Sequence, residues 1–231
     1  GTLIDENLLD DEMSKYCLAI KETVDYENNT KVFGVCFVDV STGNFQILQF
    51  VDDFECSKLE TLLSQINPME VLVSKNEIDL LTLRILKFNS NPNASFNFIK
   101  PDLEFWGHEK TVDELSKFNS YYDLKTPEIL KSYYEKENFL AFSAFGAIFW
   151  YLRSLKLDEN IVSMGNFGEY DPFSKKLLNS SMRLDGVTLQ NLEIFNNSFD
   201  QSDRGTLFKI LNKGLTPFGK RLFKSWVIHP L

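Results

Sequence analysis

The spacing of apolar residues changes once, near Asp53, and that change restricts the fold more than any other feature of the chain. Before it, short apolar runs are separated by turn-forming residues. Tyr16 to Asp25, Val32 to Ser41 and Phe45 to Val51 read as three strands. Glu27-Asn28-Asn29-Thr30 and Ser41-Thr42-Gly43-Asn44 supply the turns between them. Consecutive short strands joined by turns make an antiparallel meander. From Val32 to Val38 both alternating sets of residues are apolar, which predicts a strand covered on two sides. After Asp53 the spacing becomes helical, with Leu59, Leu62, Leu63 and Ile66 on one face. Glu70 to Ser74 reads as a buried strand, Glu77 to Phe88 as a helix and Ser95 to Ile99 as the last strand. The order βββαβαβ predicts an α/β architecture, a mixed sheet with helices packed on it.

Past Pro101 the signals are helical. Thr111 to Phe118 is a short helix, and Pro127 to Tyr134 another, with Thr126 as its cap. Phe139 to Leu157 is a long helix, apolar on every face as far as Leu152. That run is too short to span a bilayer and reads as a core helix. Met164 to Asp171 is rich in Gly and Asn and reads as a loop. Near the C-terminus, Asp185 caps a helical pattern that carries Leu189 and Leu192. Thr216 and Pro217 open a second helix, in which Phe218, Leu222 and Trp226 share a face. These five apolar residues are the expected anchors of the region. Substituting Trp226 by Ala is expected to cost roughly 3–5 kcal/mol on that reading.

Composition excludes several classes. The three cysteines, Cys17, Cys36 and Cys56, form no CxxC pair, which argues against a disulfide framework or a zinc site. The net charge is −9. Residues 182–231 hold seven Lys/Arg against four Asp/Glu, a net of +3, so the remainder carries −12. An acidic body repels phosphate, so only weak DNA binding is expected. It would be confined to the basic end, where Lys220, Arg221 and Lys224 could touch DNA or an acidic partner. A solvated helix face is the plainer reading of the same three residues.

The C-terminal words say more than their periodicity. The pattern LDxxTLxNLEIF, a short loop, then GTLFxxLNxxLTPFGKRLFKxW closely resembles the start of the lever region of MutS-type DNA mismatch repair proteins. Its form is most similar to the larger subunit of eukaryotic MutS-alpha. FGVCFVDVSTGNF resembles the first hairpin of the MutS connector domain, which has an RNase H-like fold. The resemblance implies residues 1–14 as a linker from a missing mismatch-binding domain, 15–137 as the connector and 138–231 as the helical start of the lever. Gly1 and Leu231 then look like the ends of an excised fragment. It further implies a nuclear, non-catalytic piece that couples mismatched-DNA binding to ATPase state. Its partners would be a second MutS homologue in a heterodimer, mismatched duplex DNA and a MutL-type protein. No membrane and no small-molecule substrate is implied. ATP and Mg would belong to an ATPase domain outside this chain. The Phe139–Leu157 helix, with Ala144, Gly146, Ala147 and Trp150, would link connector to lever.

Other chemistry has weak support. No GxxxxGK[ST] phosphate loop occurs. An RNase H-like nuclease would gather carboxylates around two metals. Asp39, with Glu60, Glu70 and Asp102, is the candidate set, although an Asp before Ser-Thr-Gly more often binds the turn backbone. Phe167-Gly168-Glu169 spells the Phe-x-Glu of mismatch recognition, but on the wrong side of the connector. His108 and His229 have no ligand cluster around them. No catalytic, metal or cofactor-binding residue is therefore expected. A stand-alone protein-interaction module is the remaining alternative.

Overall fold

The computed structural model describes residues 15–133, 138–170, 172–173, 184–200 and 202–228. The expected linker, 1–14, lies outside them, as does His229. The chain divides into two compact units. Among the described residues, one holds 15–58 and 68–170, and the other holds 59–67 with those from 172 on.

The first unit is built on a six-stranded sheet. Its strands are β1 (Tyr16–Asp25), β2 (Thr30–Asp39), β3 (Asn44–Asp53), β4 (Glu70–Ser74), β5 (Ser95–Ile99) and β6 (Phe167–Glu169). Their spatial order is β5-β4-β1-β2-β3-β6. β2 runs antiparallel to β1 and β3, while the β1–β4, β4–β5 and β3–β6 pairs are parallel. A mixed sheet ordered 3-2-1-4-5, with the second strand reversed, is the RNase H-like arrangement. The meander and the late crossovers match the sequence pattern. β6 was not expected, because a three-residue segment containing glycine shows no period of its own. Its pairing comes from tertiary contact, where the Phe167 ring stacks on Phe45 at 4.8 Å.

One face of the sheet is closed by α5 (Phe139–Ser154), which packs on β1, β2 and β3. Cross-strand partners share a face, so Lys21, Gly34 and Gln49 all point toward this helix. Gly34 sets its distance. A Cβ on Gly34 would lie 2.1 Å from the carbonyl carbon of Leu140 and 2.2 Å from the nitrogen of Ala141. The first helical turn has backbone N–H groups without intrahelical acceptors. Here the Gln49 side chain accepts from Leu140 N at 3.1 Å and from Ala141 N at 3.2 Å. Phe142, Phe145 and Phe149 follow along the helix. Phe145 meets Phe45 at 5.8 Å, and Phe149 meets Phe118 at 5.2 Å and Trp106 at 5.7 Å. Phe118 belongs to α3 (His108–Tyr121), which covers the outer side of α5.

The opposite face of the sheet carries an ionic cluster under α2 (Leu80–Asn89). Lys31 on β2 is fully buried. Its ammonium donates to Asp79 Oδ2 at 2.7 Å and to Thr82 Oγ1 at 3.0 Å, and it lies 5.1 Å above the Phe54 ring. Glu22 on β1 accepts from the Asp79 backbone N–H and from Thr82 Oγ1. Burial by itself would depress the ammonium of Lys31. The hydrogen bond to Asp79 and the nearby carboxylates outweigh it, and the net shift is upward. The same bond holds Asp79 below the usual carboxylate range.

Two outcomes are expected. Gly34→Ala would push backbone against backbone and should destabilise by about 1–3 kcal/mol or more, read by denaturant unfolding. Asp79 has a folded pKa below its unfolded value, so its stabilisation is present above about pH 4 and fades as pH falls further. Asp79→Asn should therefore lower the melting temperature at pH 7, and the gap from the parent should shrink below pH 4. A constant gap would show that the cluster stabilises without ionisation.

Candidate functional site

The residues expected to couple two domains lie on α5, but in different surroundings from those anticipated. Ala144 and Ala147 are fully buried, Gly146 is buried and Trp150 is half-buried. A Cβ on Gly146 would come within 2.1 Å of Thr111 Oγ1 on α3. That hydroxyl is itself held by a 2.9 Å hydrogen bond to the carbonyl of Gly107. Beyond Gly146, Tyr151 donates to Glu70 on β4, and Arg153 pairs with Glu114 on α3 at 2.7 Å. The close approach at Gly146 is thus between α5 and α3 inside the sheet unit. By compactness α5 groups with the sheet. A helix apolar on every face needs cover on every face. The sequence shows that need without showing which elements meet it.

The nuclease carboxylates do not converge. Asp39 accepts from Ser41 N at 2.9 Å and from the Ser41 hydroxyl, the turn role expected of it. It pairs in register with Tyr16, whereas Glu70 pairs with Cys17. Successive residues of β1 point to opposite faces, so Asp39 and Glu70 emerge on opposite sides of the sheet. Glu70 is buried beneath α5, where Asn97 Nδ2 donates to it at 2.7 Å. Burial first, and that carboxylate second, push the Tyr151 phenol and the Cys17 thiol above their ordinary ranges. Asp102 sits at positive φ in an exposed turn, and Glu60 belongs to the other unit. His108 meets the carbonyl of Tyr133 at 3.0 Å. The Phe167 ring lies against Phe45 and Phe145, so it is packed within the unit and not presented for stacking on a base.

The second unit contains α1 (Ser57–Ile66) from Leu59 on, α7 (Gly186–Asn191), α8 (Leu207–Leu211) and α9 (Pro217–Ile228). Between α5 and α7 in the chain, though not in this unit, comes the short α6 (Asp158–Val162); α4 (Glu128–Ser132) precedes α5. Asp185 caps α7 by accepting from Thr188 N at 2.7 Å. Gly186 lets α7 approach α1, since a Cβ there would lie 2.7 Å from Ser64 Oγ. In the C-terminal part of this unit Leu189, Ile194, Phe208 and Ile228 are buried, with Phe208 joining Phe195 at 5.3 Å and Phe223 at 5.7 Å.

Of the five expected anchors only Leu189 is buried. Leu192 is 58% exposed, Leu222 50%, Phe218 68% and Trp226 62%. The reason lies in the geometry of α9, which has two apolar stripes. At about 100° per residue, the set Phe223, Val227 and Ile228 points away on average from Phe218, Leu222 and Trp226, with Phe223 only about 60° from Trp226. The packed side is the first of these. Lys220, Arg221 and Lys224 are half-buried along it, and Lys224 Nζ lies 5.3 Å above the Phe195 ring. Lys224 therefore lies against an aromatic ring, and none of the three cations is fully exposed.

Comparison with known proteins divides the chain between residues 167 and 187, with α1 falling in the first match. The pattern of MutS domain II matches residues 15–167, and that of MutS domain III matches residues 187–231. The chain is 48% identical to the DNA mismatch repair protein MSH6 of Saccharomyces cerevisiae, over all of its length and 20% of that protein. It is 35% identical to human Msh6, over 94% of its length and 18% of that protein. It is 29% identical to MutS of Methanosarcina barkeri, over its whole length and 24% of that protein. The chain thus spans about a fifth of the length of these relatives. A fainter likeness, with TM-score 0.36 at 17% identity, relates 60% of it to 99% of a fowlpox virus Holliday junction resolvase.

The corrected burial has a direct test. Trp226→Ala should cost less than about 1 kcal/mol in this chain, as surface substitutions do. Phe208→Ala should cost roughly 3–5 kcal/mol. Equal losses in thermal or denaturant unfolding would show that both stripes are packed. Domain II and domain III patterns, matched in order over a sheet unit and a helical unit, place this chain in the MutS family of mismatch repair proteins, with MSH6-like sequence.

Proposed function

We propose that this chain is a non-catalytic transmission segment of a longer nuclear mismatch repair protein. It relays the state of a mismatched duplex, held elsewhere in the protein, to an ATPase that also lies elsewhere. The parent would work as a heterodimer with a second MutS homologue and would engage a MutL-type protein. ATP and Mg would be bound outside these residues. The observation that carries this reading is the way α5 is fixed. Gly34 and Gln49 hold its first turn on the sheet, and Gly146 holds its middle against α3. Sheet, α5 and α3 then move as one body, which is what a transmitting element requires. The coupling residues proposed are Ala144, Gly146, Ala147 and Trp150, acting through the α5–α3 contact.

A double-mutant cycle in the full heterodimer tests this. Gly146→Ala should uncouple mismatch binding from ATP-driven release while basal ATPase and mismatch affinity persist. Thr111→Ala removes the atom that the new methyl would strike, so the double variant should recover much of the coupling. If a folded Gly146→Ala protein keeps normal coupling, α5 is core filling only.

A further inference from the structure

We infer that the outer face of α2 is a docking site for a short acidic, amphipathic helical segment of a partner protein. The observation is an inverted helix. A surface helix ordinarily turns its apolar side inward. On α2 the inward side is mixed: Thr82, Leu86 and Asn89 are buried, and Thr82 belongs to the ionic cluster around Lys31 and Glu22. The outward side holds the larger apolar groups. Leu80 is 71% exposed, Phe88 76% and Leu81 38%.

Leu80, Arg84 and Phe88 stand four residues apart in one row, with Leu81 and Lys87 beside it. At 100° per residue these five side chains occupy an arc of about 120°. A row at i, i+4 and i+8 is the ridge that a second helix takes into its groove. Arg84 and Lys87 are exposed and form no ion pair or hydrogen bond among the described residues. The other charges near the start of α2 are engaged: Asp79 with Lys31, and Glu77 with Lys21 and Ser74. The face therefore offers apolar contact and uncompensated positive charge together, in a chain whose net charge is −9. Complementarity selects a partner with carboxylates flanking an apolar stripe. Two cations on a strongly acidic chain are too few to hold a nucleic acid backbone.

The test uses the 231-residue chain and a library of random 16-residue peptides displayed on phage. Selection on the chain should enrich peptides with net negative charge and apolar residues at helical spacing. A synthetic peptide from that pool should bind at least tenfold more weakly to the Arg84→Glu/Lys87→Glu variant. The loss should be similar for Leu80→Ser/Phe88→Ser, and affinity should fall as salt rises. All four positions are exposed, and unchanged melting curves would verify that both variants fold. Enrichment of neutral or basic peptides, no enrichment at all, or affinity indifferent to both variants would overturn the inference. So would sedimentation showing that the same substitutions abolish self-association, or a titration showing that they abolish binding of a 30-base-pair duplex. Those outcomes would assign the face to a second copy or to DNA.

Discussion

The closeness of α5 to β2 at Gly34 is the constraint on which the sheet unit depends. With no side chain there, the backbone of the helix can approach so nearly that any Cβ would overlap Leu140 and Ala141. That approach brings the first turn within reach of Gln49, which satisfies two N–H groups that would otherwise be buried without acceptors. It also sets the depth at which Phe142, Phe145 and Phe149 enter the space between the sheet and α3. The buried phenylalanines of α5 have their explanation here. A helix with aromatic residues on successive turns can be buried throughout only if its covering elements come close. Gly34 on one side and Gly146 on the other permit it.

The other face of the sheet solves a different problem. Lys31 is buried where a lysine has no water, so its charge must be met within the protein. Asp79, Thr82 and Glu22 meet it, and two of the three come from α2 and the residue that precedes it. A helix that contributes polar groups inward has fewer positions left for apolar ones there. Leu80, Leu81 and Phe88 then emerge on the outside. The surface character of α2 is thus coupled to a buried charge one layer below. A change at Lys31 would alter the reason for the orientation of the helix as well as a salt bridge.

Much of the sheet was legible in the sequence because its signals are local. The turn at Glu27–Thr30, the two-sided apolar run of β2 and the change of period after Asp53 each depend on a few neighbours. The Asp185 cap and the role of Asp39 in its turn were legible for the same reason. What could not be read is set by partners distant in the chain. β6 exists because Phe45 receives Phe167, and three residues with one glycine announce nothing. The placement of α5 followed the same rule, since its apolar faces demanded cover without naming the sheet or α3. Gly34 itself stands in an alternating strand like any other member, and only the helix above it reveals why it has no side chain.

The error at α9 shows the limit most clearly. Helical spacing finds sets of residues that share a face, and α9 contains two such sets. The stripe of Phe218, Leu222 and Trp226 is longer and larger, so volume favours it as the buried one. Within this chain the other set is packed, because Phe208 receives Phe223 and Phe195 receives the ammonium of Lys224. The cations follow from this choice. Lys224 holds its ammonium over the Phe195 ring, where it faces the ring's negative surface. A basic cluster read from sequence as a site for phosphate therefore has a second physical explanation, as the rim of an aromatic core. Which stripe of an amphipathic helix is buried is decided by the elements opposite it, and periodicity carries no information about those elements.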